Sequence, residues 1–582
     1  MISLLAFIVL LGVLITFHEA GHFIVAKLSG VRVHTFSVGF GQALISKQIG
    51  ETEYRIAWIP LGGYVRLQGM EGDEFGERLE TESEEPSALE GADEGAEQDE
   101  ARTPGGRSLL DKHPLVRILI FLAGPAMNFL LPFILLPPFF YLSSNFDKVW
   151  SSKVGAVDEG LPGYLSGLRE GDQIIEVQGE PVTAFWQISS AIQRYQEQSG
   201  PLQISVRRAG VEAPIELTVT PEQLFERSQI LQESRSKPRV GFQPFALAAD
   251  VLPERPDGVA ARAGLRPFDR IISVGGQAVE RYQSLSVHLN AAPQDAPLVL
   301  EVERPRGLSA PFDFLHARER LTLTLPAPAT WGDEGLGLRP AAPCVSSIDP
   351  QGPAAGLLEV GDCIVSVDGV QHSLPVFILT RLRHAPEQPK VLTVLRGGER
   401  LERTLQPVQR SREDDLAGTL SFWSHGFVLF GAVHRDAFSS PDWVENESRS
   451  DFAWHQTVDR VSRDFSHSLS SLTGMFSGRV SPSQLGGPVM IFYLAGEQAK
   501  AGFDRFLFLM VTISLSIALL NLLPIPGLDG GQILLAGVEL VIRRPLPPRL
   551  RMALQGFGVL LILGLIFFAL GNDLMRMWRL SS

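Results

Sequence analysis

The sequence predicts a multi-domain membrane protein: an α-helical core of about four transmembrane helices, a membrane-associated β-hairpin and three α+β domains. Two observations lead to this fold class. Long apolar runs lie near both ends of the 582-residue chain, whereas the middle has the composition of a soluble protein. Within that middle, one motif recurs three times at an interval of about 90–97 residues. That interval is the size of a domain and not of a short solenoid repeat.

Hydropathy places the spans at about residues 3–25, 115–142, 505–523 and 553–571. We therefore assign residues 1–30, 111–143 and 501–582 to the membrane core. The first run is not read as a signal peptide, because no Lys or Arg precedes it. The arginine-rich loop between the last two spans is expected in the cytoplasm, which puts the three repeated domains outside it.

The first apolar run contains His18-Glu19-Ala20-Gly21-His22. Residues four apart share one face of a helix, so His18 and His22 can hold one Zn²⁺ while Glu19 serves as general base. Ionisable side chains inside a membrane-length helix are costly and indicate a functional site. The structural alternative is a satisfied polar cluster within a helix bundle.

The third span ends in the segment from Asn521 to Gly531. This segment contains two prolines and three glycines, which must break a helix. Asp529 within this run fits a third metal ligand that leaves one position open for water. Asn521 is a candidate to bind a substrate amide or an oxyanion, or else a packing amide. Asn128 in the second span supports the metal site or forms a helix–helix hydrogen bond, and the second reading is slightly favoured.

Residues 31–70 alternate apolar and polar side chains between glycines, which predicts a β-hairpin against the membrane. An exposed strand edge there would hold an extended peptide by β-augmentation, although a plain structural hairpin is equally compatible. Residues 71–110 are predicted to be an acidic, disordered, cytoplasmic insertion. Residues 410–500 are predicted to be a linker that contains an amphipathic helix at 453–476.

The formal net charge of −14 comes almost wholly from the acidic insertion, since residues 71–100 hold 14 Asp or Glu and one Arg. The charge therefore gives no reason to expect nucleic acid as a partner. Two cysteines, Cys344 and Cys363, allow one disulfide, but two free or buried thiols are at least as compatible with the sequence.

The three repeats share a small residue followed by Gly-Leu, then Gly-Asp or Phe-Asp before an apolar strand, and a glycine turn. They begin this motif at Gly167, Gly264 and Gly356. The pattern resembles bacterial PDZ domains, which we place at residues 144–225, 238–326 and 333–409. PDZ domains bind peptide C-termini through a loop of backbone amides.

Two segments match the peptide-binding loop of PDZ domains. The better match is Gly335-Leu336-Gly337-Leu338, which we assign to the third copy. The weaker match is Val240-Gly241-Phe242, which we assign to the second copy. The first copy shows no such loop before Val154 and is expected to act as a spacer or steric gate.

Taken together, these motifs resemble the site-2-type intramembrane zinc metalloproteases of the M50 family, and within it most closely the bacterial proteases that regulate sigma-E. The resemblance rests on five segments, which are 18–22, 36–41, 60–65, 124–128 and 521–531. This chain departs from that pattern in two features. It has three PDZ copies, whereas the proteases that regulate sigma-E have two, and it carries an acidic insertion that they lack.

The resemblance implies Zn²⁺ held by His18, His22 and Asp529, with Glu19 as base. It implies a bacterial inner-membrane endopeptidase with periplasmic PDZ domains that acts in regulated intramembrane proteolysis. Its substrates would be transmembrane segments of pre-trimmed anti-sigma factors or remnant signal peptides. Two alternatives stay open: a catalytically silent membrane scaffold that presents PDZ domains, and a metal-linked transporter, for which four spans are few.

Overall fold

The computed structural model describes residues 2–69, 108–195, 200–227, 234–306, 318–332, 335–414, 418–433, 437–477 and 486–581. These residues form two compact units. The membrane-helix unit comprises Met1–Leu142, Asp415–Gly418 and Ser450–Ser582, and the repeat unit comprises Ser143–Asp414 and Thr419–Arg449. The acidic insertion predicted at 71–110 lies outside the described residues up to position 107.

The membrane-helix unit begins with helix α1 (Ile2–Leu28). Two long strands, β1 (Val33–Ile49) and β2 (Thr52–Leu67), and then helix α2 (Pro114–Leu142) follow. Apart from the His18–His22 motif of α1 and Arg117 of α2, both helices are apolar runs, so burial against protein or lipid satisfies most of their side chains. The close contact of α1 with α2 buries Leu10, Leu14 and Leu131.

Strands β1 and β2 bend, so that they form more than a simple hairpin. Residues 35–38 pair with residues 63–66 on one side and with residues 53–56 on the other, and residues 43–49 pair with residues 52–57. Residues 43–49 and 63–67 therefore lie at the two edges of this small sheet.

The repeat unit starts with a 3-10 turn (Ser144–Phe146) and strand β3 (Lys148–Trp150). The first repeat then contains, in chain order, β4 (Ala156–Val157), α3 (Pro162–Leu165), β5 (Gln173–Val177), β6 (Glu180–Pro181), α4 (Phe185–Tyr195), β7 (Leu202–Arg207), β8 (Ile215–Val219), β9 (Glu222–Arg227), β10 (Ser234–Arg239) and β11 (Phe242–Gln243). Strands β6, β5, β7 and β8 form one antiparallel sheet, whereas β4 pairs with β11.

The second repeat contains β12 (Asp250–Pro253), α5 (Val259–Arg262), β13 (Asp269–Val274), β14 (Gln277–Ala278), α6 (Tyr282–Ala291), β15 (Leu298–Pro305), β16 (Arg318–Leu325), a 3-10 turn (Pro328–Thr330) and β17 (Leu338–Pro340). The third contains β18 (Val345–Ile348), β19 (Cys363–Val367), β20 (Val370–Gln371), α7 (Pro375–Arg383), β21 (Lys390–Arg396), β22 (Glu399–Leu405), β23 (Val408–Asp414), β24 (Gly418–Ser424) and β25 (Phe427–Leu429). Helix α8 (Phe430–Val433) and strand β26 (Trp443–Glu445) end the unit.

The structure corrects the assignment of the two predicted peptide-binding loops to their repeats. Strand β11 pairs with β4, and Val240 belongs to the apolar core of the first repeat. Strand β17 pairs with β12, and Leu336 belongs to the core of the second repeat. The sequence assignment to the second and third copies is therefore wrong, because each loop lies between two copies and its sequence does not show which one it closes.

The same pairing gives every repeat a corresponding loop. In the third repeat β25 pairs with β18, and His425-Gly426-Phe427 precedes that pairing. The middle glycine of each loop has a positive φ, where glycine is favoured, with values of 98° at Gly241, 63° at Gly337 and 77° at Gly426. The first copy, for which no loop is found before Val154, thus takes its loop from residues 240–242.

The aspartate of the repeat motif has the same buried role three times. Asp172, Asp269 and Asp362 each accept a bond from the backbone amide three residues earlier, which closes the turn. Each also pairs with an arginine near the end of the next long strand, and these arginines are Arg208, Arg304 and Arg396. The recurring motif therefore marks a turn held by a buried ion pair and not a ligand site.

The three repeats contact one another through buried groups. Asp158 of the first repeat accepts from His372 Nδ1 of the third at 2.9 Å, and both side chains are fully buried. Phe268 of the second repeat stacks on Phe430, with ring centroids 4.8 Å apart, beside a disulfide between Cys344 and Cys363. The sequence is at least as compatible with two free or buried thiols as with this disulfide.

The exposed carboxylate of Asp442 joins the first and second repeats. It pairs with Lys153 at 2.9 Å and with Arg281 at 2.9 Å. Hydrogen bonding to Lys153 and the charges of both cations lower the pKa of Asp442 below its ordinary value. The three repeats are thus packed against one another and are not separate domains joined by flexible linkers.

The chain returns to the membrane-helix unit through five helices, α9 (Arg449–Phe476), α10 (Pro488–Ala501), α11 (Phe503–Asn521), α12 (Asp529–Ile542) and α13 (Pro548–Ser581). Among the described residues, four helices are long and apolar enough to cross a membrane, at Ile2–Leu28, Pro114–Leu142, Phe503–Asn521 and Arg549–Met575. The number agrees with the predicted spans. Helices α10 and α12 are absent from the prediction because each has only 14 residues, too few for a span.

Glycines let the membrane helices approach closely. A Cβ at Gly21 of α1 would overlap the carbonyl oxygen of Ala123 on α2, whereas a Cβ at Gly12 would meet nothing within 4 Å. The two glycines lie on the same helix, so they provide a matched pair for testing this contact.

We predict that Gly21→Ala destabilises the protein by about 1–3 kcal/mol, because the added methyl forces α1 and α2 apart. Gly12→Ala should leave stability unchanged or slightly raised, because alanine favours a helix. Thermal unfolding in detergent measures both variants. Equal unfolding midpoints for the two would contradict the close packing of α1 on α2.

We predict that Val240→Asp loosens the first repeat and not the second. The charge would lie in the core formed by β5 and β7, so amide hydrogen exchange should rise there and much less in β13 and β15. Leu336→Asp is the matched control and should show the reverse pattern. Faster exchange of β13 and β15 in Val240→Asp would restore the original loop assignment.

Candidate metal centre

Helix α1 positions both histidines of the motif. The helix runs without interruption from Ile2 to Leu28, so residues 18 and 22 are one turn apart on the same face. Both side chains are buried, and their Nε2 atoms lie 3.3 Å apart. The ring planes are nearly perpendicular, at 83°.

The broken run after α11 brings Asp529 to the histidines. Helix α11 ends at Asn521, and α12 begins at Asp529 with Leu528 as its extended N-cap. The chain folds back tightly here, since a Cβ at Gly530 or Gly531 would overlap a backbone carbonyl of the preceding turn. Asp529 Oδ2 lies 3.2 Å from His18 Nε2, and Asp529 Oδ1 lies 3.4 Å from His22 Nε2.

The hydrogen-bond partners of the two Nδ1 atoms determine which nitrogen of each histidine faces the centre. His22 Nδ1 lies 2.8 Å from the carbonyl oxygen of Ile120, an acceptor, so Nδ1 carries the proton and Nε2 presents a lone pair. His18 Nδ1 lies 3.3 Å from the amide of Asn128, whose Oδ1 is buried without a partner. Exchanging the amide oxygen and nitrogen of Asn128 gives His18 Nδ1–H an acceptor, so its Nε2 is also free.

Three electron-rich groups therefore converge, which are His18 Nε2, His22 Nε2 and the Asp529 carboxylate. Two imidazole lone pairs and a carboxylate at 3.2–3.4 Å repel one another unless a proton or a metal cation lies among them. Ligands about 2.0–2.1 Å from a tetrahedral zinc ion are about 3.4 Å apart. The donor set and its spacing thus fit a divalent metal with a fourth position open, and among the described residues this is the one such group.

Helix α2 packs directly against both histidines, and Gly124 makes this close contact possible because it has no side chain. A Cβ at Gly124 would overlap His22 Nε2 and would stand 2.8 Å from His18 Cε1. Ser514 of α11 donates a hydrogen bond of 2.7 Å to the Asn128 carbonyl, which ties α2 to α11 behind the histidines. The Asn128 side chain therefore contacts a metal-ligand histidine, whereas the bond from Ser514 uses only the Asn128 backbone.

Glu19 and Asn521 lie beside the metal ligands. Glu19 is half-buried, and a Cβ at Gly63 of β2 would stand 3.4 Å from its Cγ. Asn521 Nδ2 lies 3.3 Å from His18 Nε2. The predicted residues His18, Glu19, His22, Asn521 and Asp529 are thus brought together, whereas the predicted loops at 240–242 and 335–338 belong to the repeat unit.

Sequence reasoning missed the Ile120 carbonyl and the Ser514 contact. A backbone acceptor has no sequence signal. The Gly124-Pro125 pair in an apolar helix does predict close packing of a neighbouring helix, and the space that Gly124 leaves agrees with that prediction. Arg117 and Glu539 were also missed as a pair, although charges in apolar helices are a recognised signal.

The comparison with known proteins agrees with this centre. The sequence profile of peptidase family M50 matches residues 6–565. Proteins from Chlamydia pneumoniae, Neisseria meningitidis serogroup A and Vibrio cholerae are each 26% identical to this chain. The alignments cover 97–99% of this chain and 98–99% of those proteins, each of which carries the name "Putative zinc metalloprotease". The chain belongs to peptidase family M50.

Proposed function

We propose that the protein is a zinc-dependent endopeptidase that cleaves transmembrane segments within the membrane. The observation that carries the proposal is the buried triangle of His18 Nε2, His22 Nε2 and Asp529, on helices that are long and apolar enough to span a bilayer. Burying three acceptors without a cation is costly, so a lone structural role for this cluster is disfavoured.

His18, His22 and Asp529 would hold the ion. When bound, Zn²⁺ lowers the pKa of a water molecule toward 7 and polarises the scissile carbonyl. The buried contacts of His22 with Ile120 and of His18 with Asn128 hold both imidazoles in the required tautomer and orientation.

Glu19 is the proton carrier of the proposed reaction. It follows His18 directly, and its side chain lies beside Gly63 of the β1–β2 sheet. It accepts a proton as the water attacks the carbonyl carbon and returns that proton to the leaving amine, after which the peptide bond is broken. The Asn521 amide, whose Nδ2 lies 3.3 Å from His18 Nε2, would donate to the developing oxyanion.

The edge of the β1–β2 sheet is a candidate platform for the substrate. A helical substrate hides its amide bonds, so cleavage needs an extended segment. Residues 63–67 form a sheet edge, and Gly63 on that edge lies against Ile15 and Glu19 of α1. A substrate strand added to this edge by β-augmentation would lie beside the catalytic carboxylate.

The repeat unit would control which substrates reach the centre. Its three repeats with their loops support three PDZ-like domains, and the Cys344–Cys363 disulfide, typical of an oxidising compartment such as the periplasm, supports a place outside the cytoplasm. Docked domains of this size would exclude substrates with intact bulky ectodomains. The family resemblance suggests pre-trimmed anti-sigma factors and signal-peptide remnants in the bacterial inner membrane.

We predict that Glu19→Gln abolishes cleavage but keeps zinc, because the carboxylate moves protons and does not bind the metal. Asp529→Ala should lose both, because it removes one ligand. The assay uses a tagged single-span substrate without its ectodomain, with zinc content measured on the same preparations.

Cleavage by Glu19→Gln at the wild-type rate would exclude the proposed mechanism. Wild-type protein that holds zinc but cleaves no substrate points to the wrong test substrate. Wild-type protein that holds no zinc supports the silent scaffold.

We predict that Asn128→Ala weakens zinc binding about 10- to 100-fold, because His18 loses the partner that orients it. Asn128→Asp, which keeps an acceptor, should retain tighter binding than Asn128→Ala. Ser514→Ala is the control, since the Ser514 hydroxyl donates to the Asn128 backbone carbonyl and not to its side chain. Competition with a chelator gives the affinities, and equal values for wild type and Asn128→Ala would show that Asn128 only packs helices.

A further inference from the structure

A cavity of about 750 Å³ lies where helices α2 and α13 begin and helix α12 ends. All of its lining residues belong to the membrane-helix unit. Five cationic side chains line it against a single carboxylate, that of Glu539. The cations are Lys112, Arg117, Arg543, Arg544 and Arg551.

Glu539 cannot neutralise this cavity. Its side chain is 3% exposed and pairs with both Arg117 and Arg551, and it also accepts the Leu546 amide at 3.1 Å. Two guanidinium ions thus share one carboxylate, so a net positive charge stays buried. Arg117, whose side chain is 9% exposed, has an Nε atom without an acceptor among the described residues. A buried charge in this state calls for a further anion.

The rim of the cavity adds to the attraction. Arg543 and Arg544 are exposed and form no ion pair with any residue that the structure describes. Arg543 ends α12 with a φ of 57°, at a position where glycine is usual. Helices α2 and α13 also start at the cavity, and helix N-termini favour negative charge.

We propose that this cavity binds the phosphodiester headgroup of an anionic glycerophospholipid. Arginines bind phosphate oxygens in pairs, and basic pockets between transmembrane helices suit acidic lipid headgroups. The neighbours of the lining residues are apolar and exposed, with Leu115 at 51%, Val541 at 81% and Leu550 at 46%. Acyl chains would cover these side chains, which a free phosphate ion would leave in water.

The test uses the full chain, purified and delipidated in a neutral detergent. Binding is measured for short-chain phosphatidylglycerol, short-chain phosphatidylcholine and glycerol 3-phosphate. The variant is the double substitution Arg543→Gln with Arg544→Gln, both exposed and unpaired. Arg549→Gln is the matched control, because Arg549 is an exposed arginine in the first turn of α13 that does not line the cavity.

We expect phosphatidylglycerol to bind wild type and Arg549→Gln with similar affinity, and to bind the double variant at least about tenfold more weakly. Phosphatidylcholine should bind weakly to all three. If the double variant unfolds early without lipid, Arg544→Gln alone is used, with about fivefold weaker binding expected.

Three results would overturn the proposal. Equal binding of glycerol 3-phosphate and phosphatidylglycerol would identify the ligand as a soluble phosphate. Equal binding of the two lipids would remove the role of charge. An equal loss in Arg549→Gln would show diffuse surface attraction and no defined site.

Discussion

The repulsion between three buried acceptors is the constraint on which the membrane-helix unit depends. His18, His22 and Asp529 come from two ends of the chain, 507 or more residues apart, and point their lone pairs at one place. Such an arrangement holds only if a metal cation or a bound proton offsets the repulsion and if the surrounding helices fix each donor. The first condition gives the chemistry of the site, and the second explains its neighbours.

The residues around the metal ligands are small, and the chain between α11 and α12 is broken, because the ligands can meet only if the helices approach closely. Gly21 and Gly124 let α1 and α2 approach until the histidines reach the Ile120 carbonyl and Asn128. The prolines and glycines between α11 and α12 turn the chain back so that Asp529 reaches the same centre. The break also frees backbone at this depth, which is tolerated where it lines a site.

Much of this could be predicted from the sequence because it depends on local patterns. The spacing of His18 and His22 sets their common helix face, and the prolines before Asp529 mark the break. Hydropathy located the four long apolar helices. The pairing of β11 with β4 could not be predicted, because a loop between two similar domains fits either of them equally well in sequence. The ion pair of Arg117 with Glu539 could not be predicted either, because the two residues are 422 positions apart in sequence.

X-ray absorption at the zinc edge of the purified protein would show whether His18, His22 and Asp529 hold a zinc ion. We expect a four-coordinate ion with two imidazole nitrogens and two oxygens at about 2.0–2.1 Å, without sulfur. In Asp529→Ala, any zinc that remains should have lost the carboxylate oxygen while both imidazoles stay. A shell with fewer than two imidazoles, or wild-type protein that takes up no zinc, would exclude this set of ligands.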